Sequence, residues 1–88
     1  MNYQVAIKRK AARDLAKVPK MERSRFYKLI ADLEKTGPVQ KDWPNFSPLA
    51  AGEYHCHLSY HWVACWRHEA GTIEIEVYYV GSRENAPY

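Results

Sequence analysis

The segment YHCHLSYHWVACW, residues 54–66, decides the fold that this 88-residue chain can adopt. Apolar or aromatic residues at positions 54, 56 and 58 alternate with His55 and His57, and strand side chains alternate between two faces. The apolar set belongs against a core, which leaves the histidines on the open face of a sheet. The run HWVACW is apolar on both faces, as expected of a central strand. The segment therefore predicts a β-hairpin at the centre of a sheet.

The flanking sequence supplies the other elements of an α+β domain. Residues 3–7 alternate like a strand, and residues 10–18 and the run after Pro19 have the spacing of amphipathic helices. Residues 37–52 hold three prolines and two glycines, which excludes regular structure from most of that span. Strands over 53–58, 61–68 and 72–80 complete the order β-α-α-β-β-β: a small, mostly antiparallel sheet with two helices packed on one face. Strict alternation in the last strand places four side chains on one side, those of Ile73, Ile75, Val77 and Tyr79.

Length and composition restrict the class of protein. A chain of 88 residues forms a single domain, 1–88. No run approaches the roughly 18 apolar residues of a membrane span, and the N-terminus lacks a signal-peptide pattern. A cytoplasmic protein without membrane contact is expected, in which Cys56 and Cys65 are small core residues.

Charge is distributed unevenly along the chain. Residues 1–44 carry eleven Lys and Arg against five Asp and Glu, whereas residues 45–88 carry two against five. The basic half suits an acidic partner, either a polyanion or an acidic protein. The simpler alternative is a lysine-rich helix face that is only solvated.

Three of the four histidines, His55, His57 and His61, lie within seven residues of the hairpin. A connection over Leu58–Tyr60 would put His57 directly opposite His61, with Cβ atoms about 5 Å apart. Three interpretations remain open at this point: solvated polar residues, an open zinc site built on His-x-His, and acid–base chemistry. His68, near a turn, is given no role.

The end of the chain adds an arginine and a tyrosine. In YVGSRENAPY, residues 79–88, Gly81 breaks the last strand and Arg83 and Tyr88 follow it. With this ending, the element order and the hairpin FSPLAAGEYHCHLSYHWVACW (46–66), the chain resembles the RelE-type toxins of bacterial toxin–antitoxin pairs, within the RelE/ParE superfamily. The resemblance covers nearly the whole chain and is strongest from Phe46 onward. It implies a small endoribonuclease that cuts mRNA at the ribosome and is inhibited by a cognate antitoxin.

The resemblance also implies which residues form the site. His55 and His57 stand where the family has two sheet lysines, His61 where it has a sheet arginine, and Arg83 and Tyr88 match the family's last two site residues in kind. Imidazoles in place of lysine or arginine are a departure from the best-known pattern. The chemistry expected is metal-independent attack by the 2′-hydroxyl. His57 and His61 would be the acid–base pair, His55 an orienting group, Arg83 the phosphate clamp and Tyr88 a substrate contact, with Glu76 as an alternative base.

The partners implied are an acidic antitoxin, mRNA and the ribosome, with no cofactor. Six basic side chains of the first half are expected to hold RNA backbone, namely Lys8, Arg9, Lys10, Arg13, Arg23 and Lys28. A rival hypothesis is a non-catalytic inhibitor of DNA gyrase on the same fold, as in ParE-type toxins.

Overall fold

The protein is an α+β domain built on one five-stranded sheet; the computed structural model describes residues 2–88, so Met1 of the predicted domain lies outside the described residues. The elements in chain order are β1 (Gln4–Ile7), α1 (Arg9–Asp14), a 3-10 helix (Leu15–Lys17), α2 (Lys20–Thr36), β2 (Ser47–Ala50), β3 (Glu53–His57), β4 (Trp62–His68) and β5 (Glu74–Ser82). The strand order is β1-β5-β4-β3-β2, and all neighbours are antiparallel except β1 and β5. The predicted fold class, with two helices against a mostly antiparallel sheet, is confirmed.

The sheet has one strand more than the sequence predicts. The surrounding prolines predict irregular structure at Ser47–Ala50, but this segment pairs with β3 as an edge strand, with Ser47 opposite His55. Proline is tolerated on an edge strand, because one side of that strand has no neighbour that would need its N–H. Pro48 occupies such a position in β2. The short connection to β3 contains Gly52 with φ +73°, a conformation that glycine adopts without steric cost.

The core lies between α2 and one face of the sheet. Phe26, Leu29 and Leu33 recur along one side of α2 and are fully buried. They belong to a cluster with the helix-facing side chains of the sheet, which are Cys56, Leu58, Ala64, Trp66, Ile75, Val77 and Val80. Within residues 2–88, no helix is both long enough and apolar enough to cross a membrane.

A bulge in β5 changes which of its side chains face the core. Cys65 pairs with Tyr79, but the next residue of β4, Trp66, pairs with Val77, so Tyr78 is the extra residue. The alternation of β5 therefore shifts, and Val80 enters the core. The prediction that Tyr79 lies on the same side of β5 as Ile75 and Val77 was wrong, because strict alternation cannot anticipate a bulge. Its hydroxyl donates instead to the Ser82 carbonyl at 2.7 Å, close to the end of the strand.

Two glycines of positive φ provide a matched test of the corner between β2, β3 and β4. A Cβ added to Gly52 would lie 2.6 Å from the His68 carbonyl oxygen, whereas one added to Gly71 (φ +85°) would meet open space. Both Gly→Ala changes strain the backbone, but only Gly52→Ala also forces β4 to move. We expect Gly52→Ala to lower the free energy of unfolding by about 1–3 kcal/mol more than Gly71→Ala, the usual cost of overpacking. Equal losses in urea denaturation would contradict this packing.

Candidate active site

The β3–β4 hairpin closes between Leu58 and Trp62, and this register decides which histidines can meet. The Leu58 N–H donates to the Trp62 carbonyl at 2.7 Å, so residues 59–61 form the loop and His57 lies opposite Val63. The prediction that His57 faces His61 was therefore wrong. The predicted loop would have taken Leu58 out of the sheet, whereas Leu58 is only 2% exposed in the core. Burial of this leucine moves the loop one residue along the chain.

Two of the three clustered histidines do meet, and Tyr88 joins them from the end of the chain. The ring centroids of His55 and His57 lie 5.7 Å apart, and the Tyr88 ring lies 4.5 Å from that of His55. On its other side His55 is held by β2, because Ser47 Oγ is 3.1 Å from its Nδ1. His55 is consequently buried, at 8% exposure, while His57 is half-buried and Tyr88 is 53% exposed. A reacting molecule can thus reach His57 and Tyr88 from solvent, with His55 beneath them.

The C-terminal segment, residues 83–88, returns over the open face of the sheet to reach this position. Val63 and Cys65 point to the open face and are fully buried, although they are not members of the core cluster on the helix side. Both cysteines are buried as predicted, but on opposite faces, and burial raises the pKa of both thiols. The open face therefore has an apolar floor, formed by the buried side chains of Val63 and Cys65, which are the cross-strand neighbours of His57 and His55.

Arg83 lies at the tip of the hairpin rather than over the histidines. Its backbone N–H donates to the His61 carbonyl at 2.7 Å, and its guanidinium carbon lies 4.5 Å from the centre of the Tyr60 ring. Burial raises the pKa of Tyr88, and the positive charge of Arg83 opposes that rise. The contacts of Arg83 place it at the hairpin tip.

His61 stands apart from the other two histidines. It lies in the loop, its side chain is 63% exposed, and its Nδ1 is 3.7 Å from Glu84 Oε1. Its ring packs edge-on against Tyr60 at a centroid distance of 4.7 Å. Of the five predicted site residues, the structure brings together His55, His57 and Tyr88, with Arg83 nearby, while His61 belongs to the hairpin tip.

The pKa of His55 is lowered by its surroundings. Burial is the main cause, since a charged imidazole loses hydration there, and the neighbouring His57 adds repulsion. A hydrogen bond that the imidazole donates to the Ser47 backbone acts in the opposite direction but does not cancel these effects. His55 is therefore a neutral imidazole at neutral pH, able to accept or donate a hydrogen bond without carrying charge.

The opposite end of the open face is occupied by a polar network. The Tyr78 hydroxyl donates to Glu53 at 3.1 Å, the Arg67 guanidinium lies 4.2 Å from the Tyr78 ring centre, and Arg67 Nε is 3.6 Å from Glu76. Glu76, the alternative base of the sequence analysis, thus has a cation as its neighbour. It is paired in the sheet with Ala6 and Arg67, away from the histidines. This network gives Glu76 a structural role.

The six predicted RNA-contacting residues fall into two groups. Lys8, Arg9, Lys10 and Arg13 lie at or just before α1, all exposed, and Lys10 is bonded to Asp14 at 2.7 Å. The helix α1 packs along β5, and Lys10 lines a hollow of about 370 Å³ together with Ser82 and Asn85.

The second group, Arg23 and Lys28, belongs to α2 on the helix side of the sheet. Of these six residues, Lys10 is the one that shares a hollow with the C-terminal segment in the described part of the chain.

The zinc interpretation requires a third ligand beside His55 and His57. In the part of the chain that the structure describes, no group of three or more His, Cys, Asp or Glu side chains is arranged to hold a metal ion.

Sequence reasoning missed two contributors to the site. Ser47 was overlooked because β2 was not predicted, although a Gly-containing connection of a few residues between two strand-like runs is a hairpin signal. Tyr60 has only the pattern of a loop residue, and its contact with Arg83 joins positions 23 residues apart in sequence, which no local pattern reveals.

The lowered pKa of His55 leads to a prediction for stability. Above pH 6.5, the ordinary value, His55 is neutral in both states; as the pH falls below it, the unfolded chain binds the proton first. The free energy of unfolding should therefore decrease until the pH has passed the folded-state pKa. His55→Gln should lose this part of the pH dependence, whereas His61→Gln, altered at an exposed side chain, should keep it. Urea denaturation across this range and NMR titration of the imidazoles measure both effects. A folded-state pKa of His55 above 6.5 would contradict the assignment.

Searches by sequence and by structure gave different results. No protein-family model matches the sequence, and no curated protein matches it. Solved structures do match. RelE in the RelE–RelB complex of Pyrococcus horikoshii aligns with a TM-score of 0.77 at 19% identity, over 98% of this chain and 100% of that one. A free Escherichia coli RelE double mutant gives 0.75 at 15% identity, over 98% and 88%. A YoeB/ParE toxin from Agrobacterium tumefaciens gives 0.74 at 13% identity, over 91% and 98%. The chain has the fold of the RelE-type toxins.

Proposed function

We propose that this protein is the toxin of a type II toxin–antitoxin pair, and that it acts in the cytoplasm as an endoribonuclease that cleaves mRNA on the ribosome and inhibits translation. The observation that carries this proposal is the cluster of His55, His57 and Tyr88 on the open face, with Arg83 at the tip of the same hairpin. An imidazole, a phenol and a guanidinium can supply the general base, the general acid and the charge stabiliser that cleavage of a ribose phosphate uses. The fold adds support, because it is the fold of known toxins and because it places both histidines on one strand, β3.

The proposed reaction is an internal transesterification. His57 accepts the proton of the 2′-hydroxyl, O2′ forms a bond to phosphorus, and the bond from phosphorus to O5′ breaks. Tyr88 donates its phenolic proton to O5′, which leaves as a hydroxyl and gives a 2′,3′-cyclic phosphate on the other fragment. The phenol of Tyr88 is protonated at neutral pH, since burial raises its pKa above the ordinary value. Because the nucleophile belongs to the substrate, the reaction does not require a metal-bound water.

His55 is a positioning residue in this scheme. It is held by Ser47, contacts both His57 and Tyr88, and is too buried to bind the substrate directly. The acid–base pair inferred from sequence, His57 with His61, is thereby replaced by His57 with Tyr88. His61 is left with a role at the hairpin tip.

Arg83 is proposed to bind the scissile phosphate. Its guanidinium is exposed and lies over the Tyr60 ring at the hairpin tip, where a phosphate can reach it from solvent. A preorganised charge of this kind is worth about 10²–10³ in rate at comparable sites. The exposed cations of α1 continue this positive surface along the C-terminal segment, and Arg23 and Lys28 on α2 would contact ribosomal RNA from the other layer.

An acidic antitoxin is the proposed protein partner. The P. horikoshii RelE structure is a complex with RelB, and the basic first half of this chain, with eleven Lys and Arg against five Asp and Glu, would favour an acidic protein. Such a partner would compete with RNA for the same cations.

Cleavage can be tested with variants of single groups. In a translation extract containing EDTA, the wild type should shorten mRNA, and mapping of 5′ ends should give 5′-hydroxyl fragments. His57→Gln and Arg83→Ala should each reduce cleavage about 10²-fold or more. Tyr88→Phe should reduce it as well, because the ring remains but the proton is removed.

His68→Gln is the matched control, since His68 lies at the far end of β4, where its Nε2 donates to the Thr72 carbonyl and its ring packs on Tyr3. It should cleave like the wild type. Intact RNA together with blocked gyrase supercoiling would replace the nuclease proposal by the ParE-type one.

The α1 cations are tested by the salt dependence of binding. In a His57→Gln background, Arg9→Gln combined with Arg13→Gln should weaken binding of a labelled single-stranded oligoribonucleotide. The slope of log affinity against log salt should fall by about 0.7 for each phosphate that the protein no longer neutralises. Lys41→Gln, altered at an exposed cation of the 37–46 loop, is the matched control and should leave the slope unchanged. An identical slope in all three proteins would exclude α1 from the RNA surface.

A further inference from the structure

Tyr60 is the most exposed large hydrophobic side chain among residues 2–88, at 68%. It lies in the three-residue loop of the β3–β4 hairpin, where it makes no contribution to the core. Exposure of a large aromatic side chain is common at surfaces that bind other molecules. The exposed ring of Tyr60 is thus available to another molecule, and its contacts distinguish it from the other exposed side chains.

The ring of Tyr60 is held in place from two sides. The Arg83 guanidinium covers it at 4.5 Å from the ring centre, and the His61 ring packs edge-on against it at 4.7 Å. The hydrogen bond from the Arg83 N–H to the His61 carbonyl, 2.7 Å long, fixes these neighbours to each other. Tyr60 is thus a preorganised aromatic surface beside the arginine that is proposed to bind the scissile phosphate.

We propose that Tyr60, with the stacked guanidinium of Arg83, forms a subsite that binds one unpaired nucleobase next to the scissile phosphate. This inference rests on the proposed function, which it extends by naming the state of the substrate. Aromatic rings and guanidinium planes stack on unpaired bases, and the interaction tolerates any base because every base has a π-face. A base inside a duplex cannot reach such a surface, so the subsite selects single-stranded RNA.

The geometry also explains what His61 does. It stands where the RelE resemblance implied a sheet arginine, yet it lies in the loop and supports the edge of the Tyr60 ring. Its other neighbour, Glu84, belongs to the same C-terminal turn as Arg83. His61 is therefore a positioning residue of the subsite rather than a member of the acid–base pair.

Binding by variants of Tyr60 tests the subsite. In the His57→Gln background, affinity is measured by fluorescence anisotropy for a labelled single-stranded oligoribonucleotide and for the same strand in a duplex. Tyr60→Ala and Tyr60→Leu should weaken single-strand binding about 10- to 100-fold, the usual effect of removing one stacked base. Tyr60→Phe should restore it, because it keeps the ring. Duplex binding should not depend on residue 60.

The matched control is Tyr27→Ala, which removes another exposed tyrosine, 57% exposed on α2. It should leave single-strand binding as it is. In cleavage assays with His57 intact, Tyr60→Ala should raise KM more than it lowers kcat, without moving the pH profile. A thermal melt of each variant checks folding.

Several outcomes would overturn the subsite: equal reductions in affinity for single strand and duplex, a Phe variant as weak as the Ala variant, or unchanged affinity on removing the ring. Failure of the proposed function gives a different result. A wild type that binds single-stranded RNA through Tyr60 but leaves it intact would contradict the nuclease and support the subsite. If the wild type and Tyr60→Ala both cleave RNA with the same KM, that result would support the nuclease and contradict the subsite.

Discussion

Burial of Leu58 in the core is the constraint on which the rest of the site depends. Because Leu58 must pack under α2, the hairpin closes between Leu58 and Trp62, and the loop falls on residues 59–61. This register sets Val63 opposite His57, where it forms part of an apolar floor, and places His61 at the tip. Arg25 of α2 also holds Leu58 in this position, because its guanidinium donates to the Leu58 carbonyl at 2.8 Å.

The second determinant is the return of the C-terminal segment over the open face. It brings Tyr88 onto His55, which shares its strand with His57. The same arrangement buries His55, and the loss of hydration lowers its pKa, so one imidazole is kept neutral as a support while His57 remains accessible.

The open face is electrostatically uneven from one end to the other. Glu53 and Glu76 lie around Arg67 and Tyr78 at one end, whereas Arg83 and the cations of α1 border the other. Under the proposed function, an RNA strand would be favoured at the second end, across the hairpin tip and the C-terminal segment. Tyr60 lies at this hairpin tip, so binding of RNA there would account both for its exposure and for its contact with Arg83.

The sequence by itself determined the fold class and the face on which His55 and His57 lie, because both follow from local alternation and from the resemblance carried by the hairpin and the chain ending. The tertiary structure alone decided the positions of His61, Tyr60 and Tyr88. Hairpin register depends on which residues the core must bury. Moving the loop by one residue changes the cross-strand pairing by two residues, so every strand side chain keeps its face and the hydrophobic alternation cannot distinguish the two registers. The bulge in β5 and the edge strand β2 were likewise invisible, since each is set by pairing with distant residues. Contacts between chain segments far apart in sequence leave no local periodicity, so they appear only when the sheet is assembled.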